Sequence, residues 1–134
     1  MNPSIKVFIV DDNEFLIKNL TRLLSEKTNF EIVNTSNNGQ DLLNKLEENS
    51  NLPDVILMDI DMPIMNGFET TKQVKSKFPE IKILIFSLSD SEAFFQRAIH
   101  ERANGFISKN EGIQRIIAGI KLVYENEFVD FRSA

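Results

Sequence analysis

The sequence predicts an α/β protein in which a parallel sheet is covered by helices on both faces. Short apolar runs alternate with longer stretches whose apolar residues recur at helical spacing, and this pairing repeats five times. The apolar runs are nearly continuous, as strands of a parallel sheet are when helices bury both of their faces. A chain of 134 residues is about one domain long and can bury a sizeable core.

Five apolar runs are the predicted strands. The first, IKVFIV, is rich in β-branched residues, and the third and fourth contain the uninterrupted segments VILM and ILIF. The second, FEIVNTS, is strand-like, and the fifth, GFISK, is short. The strands are predicted at residues 5–10, 30–36, 54–59, 81–87 and 105–109.

A helix is predicted after each strand. The first and second helices are marked by leucines at helical spacing, and the third, GFETTKQVKSKF, is stopped by Pro79. The fourth is predicted at residues 91–103. The apolar positions that define the first, second and fifth helices are Leu16, Leu20, Leu23 and Leu24, then Leu42, Leu43 and Leu46, and finally Ile113, Ile116, Ile117, Ile120 and Val123.

Composition excludes several classes of function. The formal net charge of −5 argues against strong non-specific nucleic-acid binding by this segment. The sequence contains no cysteine, which excludes a disulfide framework, a zinc ribbon and a thiol nucleophile. It shows no secretory leader and no apolar run near the ~18 residues that a membrane span needs. We therefore expect a cytoplasmic protein with no membrane association.

Polar side chains follow four of the five predicted strands. In open α/β sheets, ligands bind at the carboxyl ends of the strands. Asp11 and Asp12 follow the first strand, and Asp59 ends the third. Ser87 and Lys109 end the fourth and fifth. Each has a plainer interpretation alone: the acidic pair with the next asparagine could cap a helix, the lysine could be a surface residue and the serine a strand-end hydroxyl. Their joint placement predicts a site.

This set of residues predicts a particular chemistry. Three neighbouring carboxylates repel one another, so that one takes up a proton or a cation joins them. An all-oxygen site without His or Cys suits Mg²⁺ best, although Mn²⁺ or Ca²⁺ could take its place. A carboxylate nucleophile, a divalent cation, a lysine and a hydroxyl are what phosphoryl transfer to aspartate requires.

Four motifs carry a resemblance to a known family. In order along residues 5 to about 127, VFIVDDN, DVILMDIDMPIMNGFE, ILIFSLSD and GFISK resemble the receiver domain of bacterial two-component response regulators. The resemblance implies a flavodoxin-like fold with sheet order 2-1-3-4-5, and a phosphorylation-activated signalling switch rather than an enzyme acting on other substrates. Leu88 after Ser87 and Asn110 after Lys109 are similar to the branch with a LuxR-type helix-turn-helix output domain.

The resemblance also implies a role for each site residue. Asp59 is the phospho-acceptor. Asp12 and Asp59 ligate Mg²⁺ through their carboxylates, the backbone carbonyl of Asp61 supplies a third ligand, and Asp11 acts through metal-bound water. The remaining positions are the switch hydroxyl, the lysine that pairs with the phosphoryl group and the aromatic switch residue, which are Ser87, Lys109 and Phe106.

In the mechanism that the resemblance implies, phosphorylation draws Ser87 toward the phosphoryl group. Phe106 can then turn inward, and the face formed by the fourth helix, fifth strand and fifth helix changes shape. The implied partners are a sensor histidine kinase, a second copy of the chain on phosphorylation, and DNA through a C-terminal domain absent from this segment. We expect the receiver domain at residues 1–127, followed by a tail or the start of a linker at 128–134.

Two alternatives remain open at this point. The D-x-D formed by Asp59 and Asp61 also resembles the motif of haloacid-dehalogenase-type phosphatases, although theirs lies on the first strand. The chain could otherwise be a pseudo-receiver, an interaction module that works without phosphate. We further expect His100 to face solvent and Gly67 to supply a turn conformation before the third helix.

Overall fold

A computed structural model describes residues 4–48 and 50–133 of the chain. It contains one sheet of parallel strands in the order β2-β1-β3-β4-β5, which confirms the predicted fold class and order. Five helices connect and follow the strands. The strands are β1 Lys6–Val10, β2 Glu31–Ser36, β3 Val55–Met58, β4 Lys82–Ser87 and β5 Gly105–Ser108, and the helices are α1 Glu14–Lys27, α2 Gly39–Glu48, α3 Gly67–Lys77, α4 Glu92–His100 and α5 Ile113–Glu125.

The sheet divides the core into two layers because successive side chains of a strand point to opposite faces. One face packs against α1 and α5, and the other packs against α2, α3 and α4. In the central strand β3, Val55 and Leu57 enter the first layer, while Ile56 and Met58 enter the second. All four are fully buried, which explains why this run is apolar without alternation.

The two elements on either side of residue 104 are shorter than the sequence pattern predicts. Helix α4 begins after the N-cap Ser91 but ends at His100, because Arg102 adopts a left-handed conformation with φ of 69°. Strand β5 ends at Ser108, and Lys109 begins a short 3₁₀ turn that runs to Glu111. His100 is exposed, as expected. Within residues 4–48 and 50–133, every helix is too short or too polar to cross a membrane.

A buried lysine connects three parts of the fold. The Lys75 ammonium on α3 donates hydrogen bonds to the carbonyl of Ile81 and to Oδ1 of Asn104, each at 3.0 Å. The same Oδ1 accepts from the N–H of Ile83 at 2.8 Å, and the Asn104 amide donates to the carbonyl of Glu127 at 2.6 Å. Burial lowers the pKa of Lys75, and these acceptors compensate part of that cost. The sequence pattern gave no indication of this network.

Replacing Lys75 by methionine is expected to lower the free energy of unfolding by about 1–3 kcal/mol. The substitution keeps the apolar stem but leaves the Ile81 carbonyl and the Asn104 amide oxygen without their donor. Urea denaturation followed by circular dichroism measures the change. Lys72→Met, at an exposed position of the same helix, is the matched control and should shift stability by no more than about 0.5 kcal/mol. Equal shifts in the two variants would show that the buried contacts contribute nothing.

The segment after α5 returns along the edge of the sheet. The N–H of Val129 donates to the carbonyl of Asn104 at 2.9 Å, and Val129 pairs with Gly105 in a parallel bridge. Phe131 is 4% exposed and joins the core layer that contains α1 and α5. The assignment of residues 128–134 as a tail or linker stays a prediction, and Ala134 lies outside the described residues.

Candidate functional site

Three carboxylates come together where β1 and β3 end. The N–H of Asp11 donates to the carbonyl of Ser36 at 3.1 Å, and the N–H of Asp59 donates to that of Val10 at 2.9 Å, so the sheet ladder fixes both backbones. One carboxylate oxygen from each of Asp11, Asp12 and Asp59 lies within 4.8 Å of the other two. The predicted convergence of the acidic residues is therefore present in the fold.

Asn13, and neither aspartate, caps helix α1. Its side-chain oxygen accepts the N–H of Leu16 at 3.1 Å. Asp11 is fully buried and instead accepts the N–H of Asn13 at 2.9 Å, while Asp12 is exposed. The capping interpretation of this stretch thus applies to Asn13 alone, and both carboxylates face the site without a capping role.

Lys109 joins two of the carboxylates. Its ammonium nitrogen lies 2.7 Å from Oδ2 of Asp11 and 3.0 Å from Oδ1 of Asp59, and it sits 4.9 Å from the centre of the Phe86 ring. Burial alone would lower the pKa of Lys109, but the hydrogen bonds to Asp11 and Asp59 outweigh it and raise that pKa above its ordinary value. The lysine is therefore charged at neutral pH and offsets part of the acidic charge.

Asp59 has the most perturbed carboxyl group of the site. It is 4% exposed, and burial together with the neighbouring charge of Asp11 raises its pKa to about 6. The contact with Lys109 and a hydrogen bond from the N–H of Ile60 act in the opposite direction. The carboxylate is thus mostly ionised at pH 7, yet it is held in a poorly hydrated position that suits a nucleophile.

Ser87 and Phe106 lie on the strands that complete this edge. Ser87 is 1% exposed, and its Oγ accepts the N–H of Ser89 at 3.1 Å, which leaves the hydroxyl proton free for an acceptor in the site. Phe106 is already buried, with its ring 6.2 Å from that of Phe95 in an edge-to-face contact. The predicted inward turn of Phe106 therefore has no outward starting position in this arrangement.

The loop after β3 depends on Gly67 for a reason that differs from our expectation. A Cβ atom at Gly67 would lie 2.0 Å from the carbonyl oxygen of Asp59 and 2.8 Å from Cα of Ile60. Among the described glycines a positive φ occurs at Gly112, so the turn-conformation prediction for Gly67 is wrong. The positive φ of this loop, 72°, belongs to Ile64. Gly67 is required for close approach, because any side chain there would displace the backbone of Asp59.

The chemistry of the donors fits a hard divalent cation. Asp11, Asp12 and Asp59 could hold a metal ion, and all their donors are carboxylate oxygens, which Mg²⁺, Mn²⁺ and Ca²⁺ accept. Asp61 is exposed two residues after Asp59, consistent with a role through its backbone. Exposed apolar side chains stand on three neighbouring loops or helix starts, a feature that the sequence pattern indicated only for the first and last of Phe15, Ile64 and Leu88.

Comparison with known proteins identifies relatives along most of the chain. A family profile described as the response regulator receiver domain matches residues 7–121. The transcriptional regulatory protein LnrK of Bacillus subtilis is 32% identical over 125 residues, which cover 93% of this chain and 56% of that protein. DegU of Brevibacillus brevis, also a transcriptional regulatory protein, is 31% identical over 119 residues, covering 89% of this chain and 50% of that one. The chain thus spans about half the length of these curated relatives.

Solved structures show the same fold. A LuxR-family DNA-binding response regulator from Staphylococcus aureus superposes with a TM-score of 0.82 at 26% identity, covering 90% of this chain and 98% of that one. The receiver domain of the putative response regulator NarL from Mycobacterium tuberculosis gives 0.85 at 25% identity, covering 93% and 99%. These neighbours confirm the predicted resemblance to the LuxR-type branch.

Proposed function

The chain belongs to the response regulator receiver domain family, and we propose that it accepts a phosphoryl group on Asp59 from a sensor histidine kinase in a Mg²⁺-dependent reaction. One observation carries the assignment of the acceptor. Asp59 is a buried carboxylate at the end of the central strand β3, and Lys109 bridges it to Asp11. No other acidic group of the cluster combines burial, contact with the lysine and a raised pKa.

The proposed reaction transfers the phosphoryl group to an Asp59 carboxylate oxygen. The oxygen forms a bond to phosphorus, the bond between phosphorus and the donor breaks, and the donor leaves with the electron pair. Lys109 neutralises charge on the phosphoryl oxygens, and the Ser87 hydroxyl donates a hydrogen bond to one of them. Bound Mg²⁺ supplies further positive charge, and Asp12, Asp59, the backbone carbonyl of Asp61 and, through water, Asp11 would hold it.

The bond that Lys109 makes to Asp59 is the part of the site that must change. Once Oδ1 of Asp59 or its partner oxygen carries a phosphoryl group, the ammonium gains a more highly charged acceptor. Phosphate then acts through its preference for one of two conformations. A shift from 1:99 to 99:1 requires about 5.5 kcal/mol of differential stabilisation. The lysine, the hydroxyl and the metal ligands together are the groups that would supply it.

We further propose that the output is transcription, through a DNA-binding domain outside this segment. The two relatives above are transcriptional regulatory proteins that extend well beyond the matched region. The net charge of −5 supports DNA contact by another part of the protein. Pairing of two copies on phosphorylation is part of the same proposal. The chain would have no other enzymatic activity than its own phosphorylation and dephosphorylation.

The exposed side chains of Phe15, Ile64 and Leu88 support a role for the rim of the site in donor recognition. They are 81%, 80% and 69% exposed, and they stand at the start of α1 and on the loops after β3 and β4. A kinase domain that presents its phosphohistidine to Asp59 would cover them. Leu88, beside the switch hydroxyl, would also slow the entry of small donors and of water.

Both alternative functions are less well supported. Asp59 and Asp61 follow the third strand of the chain, whereas the phosphatase motif belongs on the first. The acidic cluster and its lysine are complete, which argues against a pseudo-receiver. The receiver function accounts for both features.

Titration with beryllofluoride, which mimics a phosphoryl group on a carboxylate, tests the proposal. In the presence of Mg²⁺ we expect a saturable change in the amide NMR signals of Ser87 and Lys109, because both side chains would contact the bound group. The change should need Mg²⁺ and should disappear in Asp59→Asn. A wild-type spectrum that does not respond at any Mg²⁺ concentration would rule the function out.

A further inference from the structure

Residues 126–132, which we call the strap, close the outer edge of the sheet. The Val129 N–H donates to the carbonyl of Asn104, and Val129 pairs with Gly105 at the start of β5. Asn104 returns a second bond, from its side-chain amide to the carbonyl of Glu127 at 2.6 Å. An edge strand normally exposes unpaired backbone groups. Here the first part of that edge is covered by the chain itself.

The strap has a prepared seat for Phe131. A Cβ atom at Gly105 would lie 2.9 Å from Cε2 of Phe131, and one at Gly119 would lie 3.5 Å from its Cζ. The ring thus occupies space that the missing side chains of two glycines leave open. Arg115 on α5 donates to the Phe131 carbonyl at 2.6 Å, and its guanidinium lies 5.0 Å from the centre of the ring. A loose tail would have no such complementary contacts.

The strap also rests on helix α4. The guanidinium of Arg132 lies 3.3 Å from the centre of the Phe95 ring and forms an ion pair with Glu92, the first residue of α4. Phe128 contacts the same Phe95 ring edge-on, at 6.4 Å between centres. Phe95 in turn contacts the switch aromatic Phe106. A continuous chain of aromatic contacts therefore connects the strap to the switch.

The position of Phe106 indicates which contacts can change. In the arrangement in which Lys109 binds both Asp11 and Asp59, Phe106 is already buried, so burying this ring cannot be the step that alters the surface. Ser87 precedes the loop that leads into α4. When Ser87 moves toward the phosphoryl group, that loop and the start of α4 move with it. The strap contacts at the start of α4 are the ones that this movement would break.

We propose that the strap is an intrachain cover that is docked while Lys109 binds Asp11 and Asp59 and released when Asp59 is phosphorylated. Release uncovers the edge of β5, the Phe95 ring and the seat of Phe131. The inference rests on the proposed function, because it takes Asp59 as the phospho-acceptor. It moves the conformational output from the rotation of Phe106 to the undocking of residues 126–132.

Thermodynamic linkage gives the inference a second consequence. If phosphorylation weakens strap docking, weaker docking strengthens the binding of a phosphoryl mimic by the same factor. Arg132→Ala removes the contacts with Phe95 and Glu92 and should lower the beryllofluoride midpoint at least about fivefold. Arg132→Lys keeps the charge but not the planar contact, and should fall between. Arg22→Ala removes an exposed arginine paired within α1 and should leave the midpoint unchanged.

Hydrogen exchange at the Val129 amide tests release directly in the full chain. With Mg²⁺ and saturating beryllofluoride, we expect this amide to exchange about tenfold faster or more, while the Leu57 amide in β3 is unaffected. Saturation is established first from the Ser87 and Lys109 signals. Unchanged or slower exchange at Val129 after saturation, or an unshifted midpoint in Arg132→Ala, overturns the inference alone. Absence of any saturable binding overturns the proposed function and the inference together.

Discussion

Asp59→Asn is expected to abolish phosphorylation by acetyl phosphate in the presence of Mg²⁺, whereas Asp61→Asn changes only its rate. The amide oxygen of asparagine is neutral and does not act as a nucleophile toward phosphorus. Asp59 is buried in contact with Lys109, so another carboxylate cannot take its place without moving the sheet. Asp61 is exposed, and asparagine keeps the backbone carbonyl that is its proposed contribution. Intact-mass spectrometry over time measures both variants.

The pair of variants is informative because both replace a carboxylate with an amide of nearly the same shape. We expect Asp59→Asn to fold, since it removes one of two neighbouring negative charges and leaves a group that can still accept a bond from Lys109. Circular dichroism confirms folding before the kinetics are compared. Phosphorylation of Asp59→Asn at the wild-type level, or complete loss in Asp61→Asn, would assign the nucleophile differently.

Lys109→Met is expected to lower the rate of phosphorylation by about 10²–10³-fold. The ammonium is the one cationic side chain that contacts the carboxylates of the described site, at 2.7 Å from Asp11 and 3.0 Å from Asp59. Methionine keeps the length of the side chain but offers no charge to the phosphoryl oxygens. Lys121→Met, an exposed position on α5, is the control and should leave the rate unchanged. A loss of less than about tenfold would mean that the metal alone supplies the positive charge.

The same variant has a predicted pH dependence. Burial and the charge of Asp11 raise the pKa of Asp59 to about 6, and Lys109 opposes that rise, so its removal moves the pKa higher. Since only the ionised carboxylate attacks, the wild-type rate at limiting Mg²⁺ should fall as the pH drops through about 6, and the variant's should fall at higher pH. Rate profiles that coincide in the two proteins would show that Lys109 does not act on Asp59.

The pH dependence of stability has the opposite sign for this group. The folded-state pKa of Asp59 lies above the ordinary value of an unfolded chain, so the folded state binds more protons between pH 3.8 and about 6. The contribution of Asp59 to the free energy of unfolding is therefore largest below that window and is lost as the pH rises through it. In Lys109→Met the loss should be larger and extend to higher pH, which urea denaturation across the same range would detect.

The sequence allowed the architecture and the place of chemistry to be predicted because both follow from local pattern. A strand that is apolar on both faces must lie inside a parallel sheet, and β3 is such a strand. Since parallel strands end at one edge, the residues after them converge, as Asp11, Asp59 and Lys109 do. Order along the chain and one topological rule were sufficient for this part.

Features that depend on contacts between distant residues could not be predicted in the same way. Lys75 pairs with Asn104, and nothing near either residue in sequence indicates that a lysine is buried there. Gly67 approaches the backbone of Asp59 only after the loop between them has folded back. The seat of Phe131 is formed by glycines of two other elements, so the last residues read as a linker although they pack against the sheet.

The position of the phosphoryl group in the wild-type protein tests the central claim most directly. The protein is incubated with acetyl phosphate and Mg²⁺, digested under conditions that preserve acyl phosphates, and its peptides are sequenced by tandem mass spectrometry. We predict one phosphoryl group, on Asp59. A phosphoryl group on Asp11, Asp12 or Asp61, or none with either acetyl phosphate or a phosphorylated histidine kinase as donor, would contradict the account.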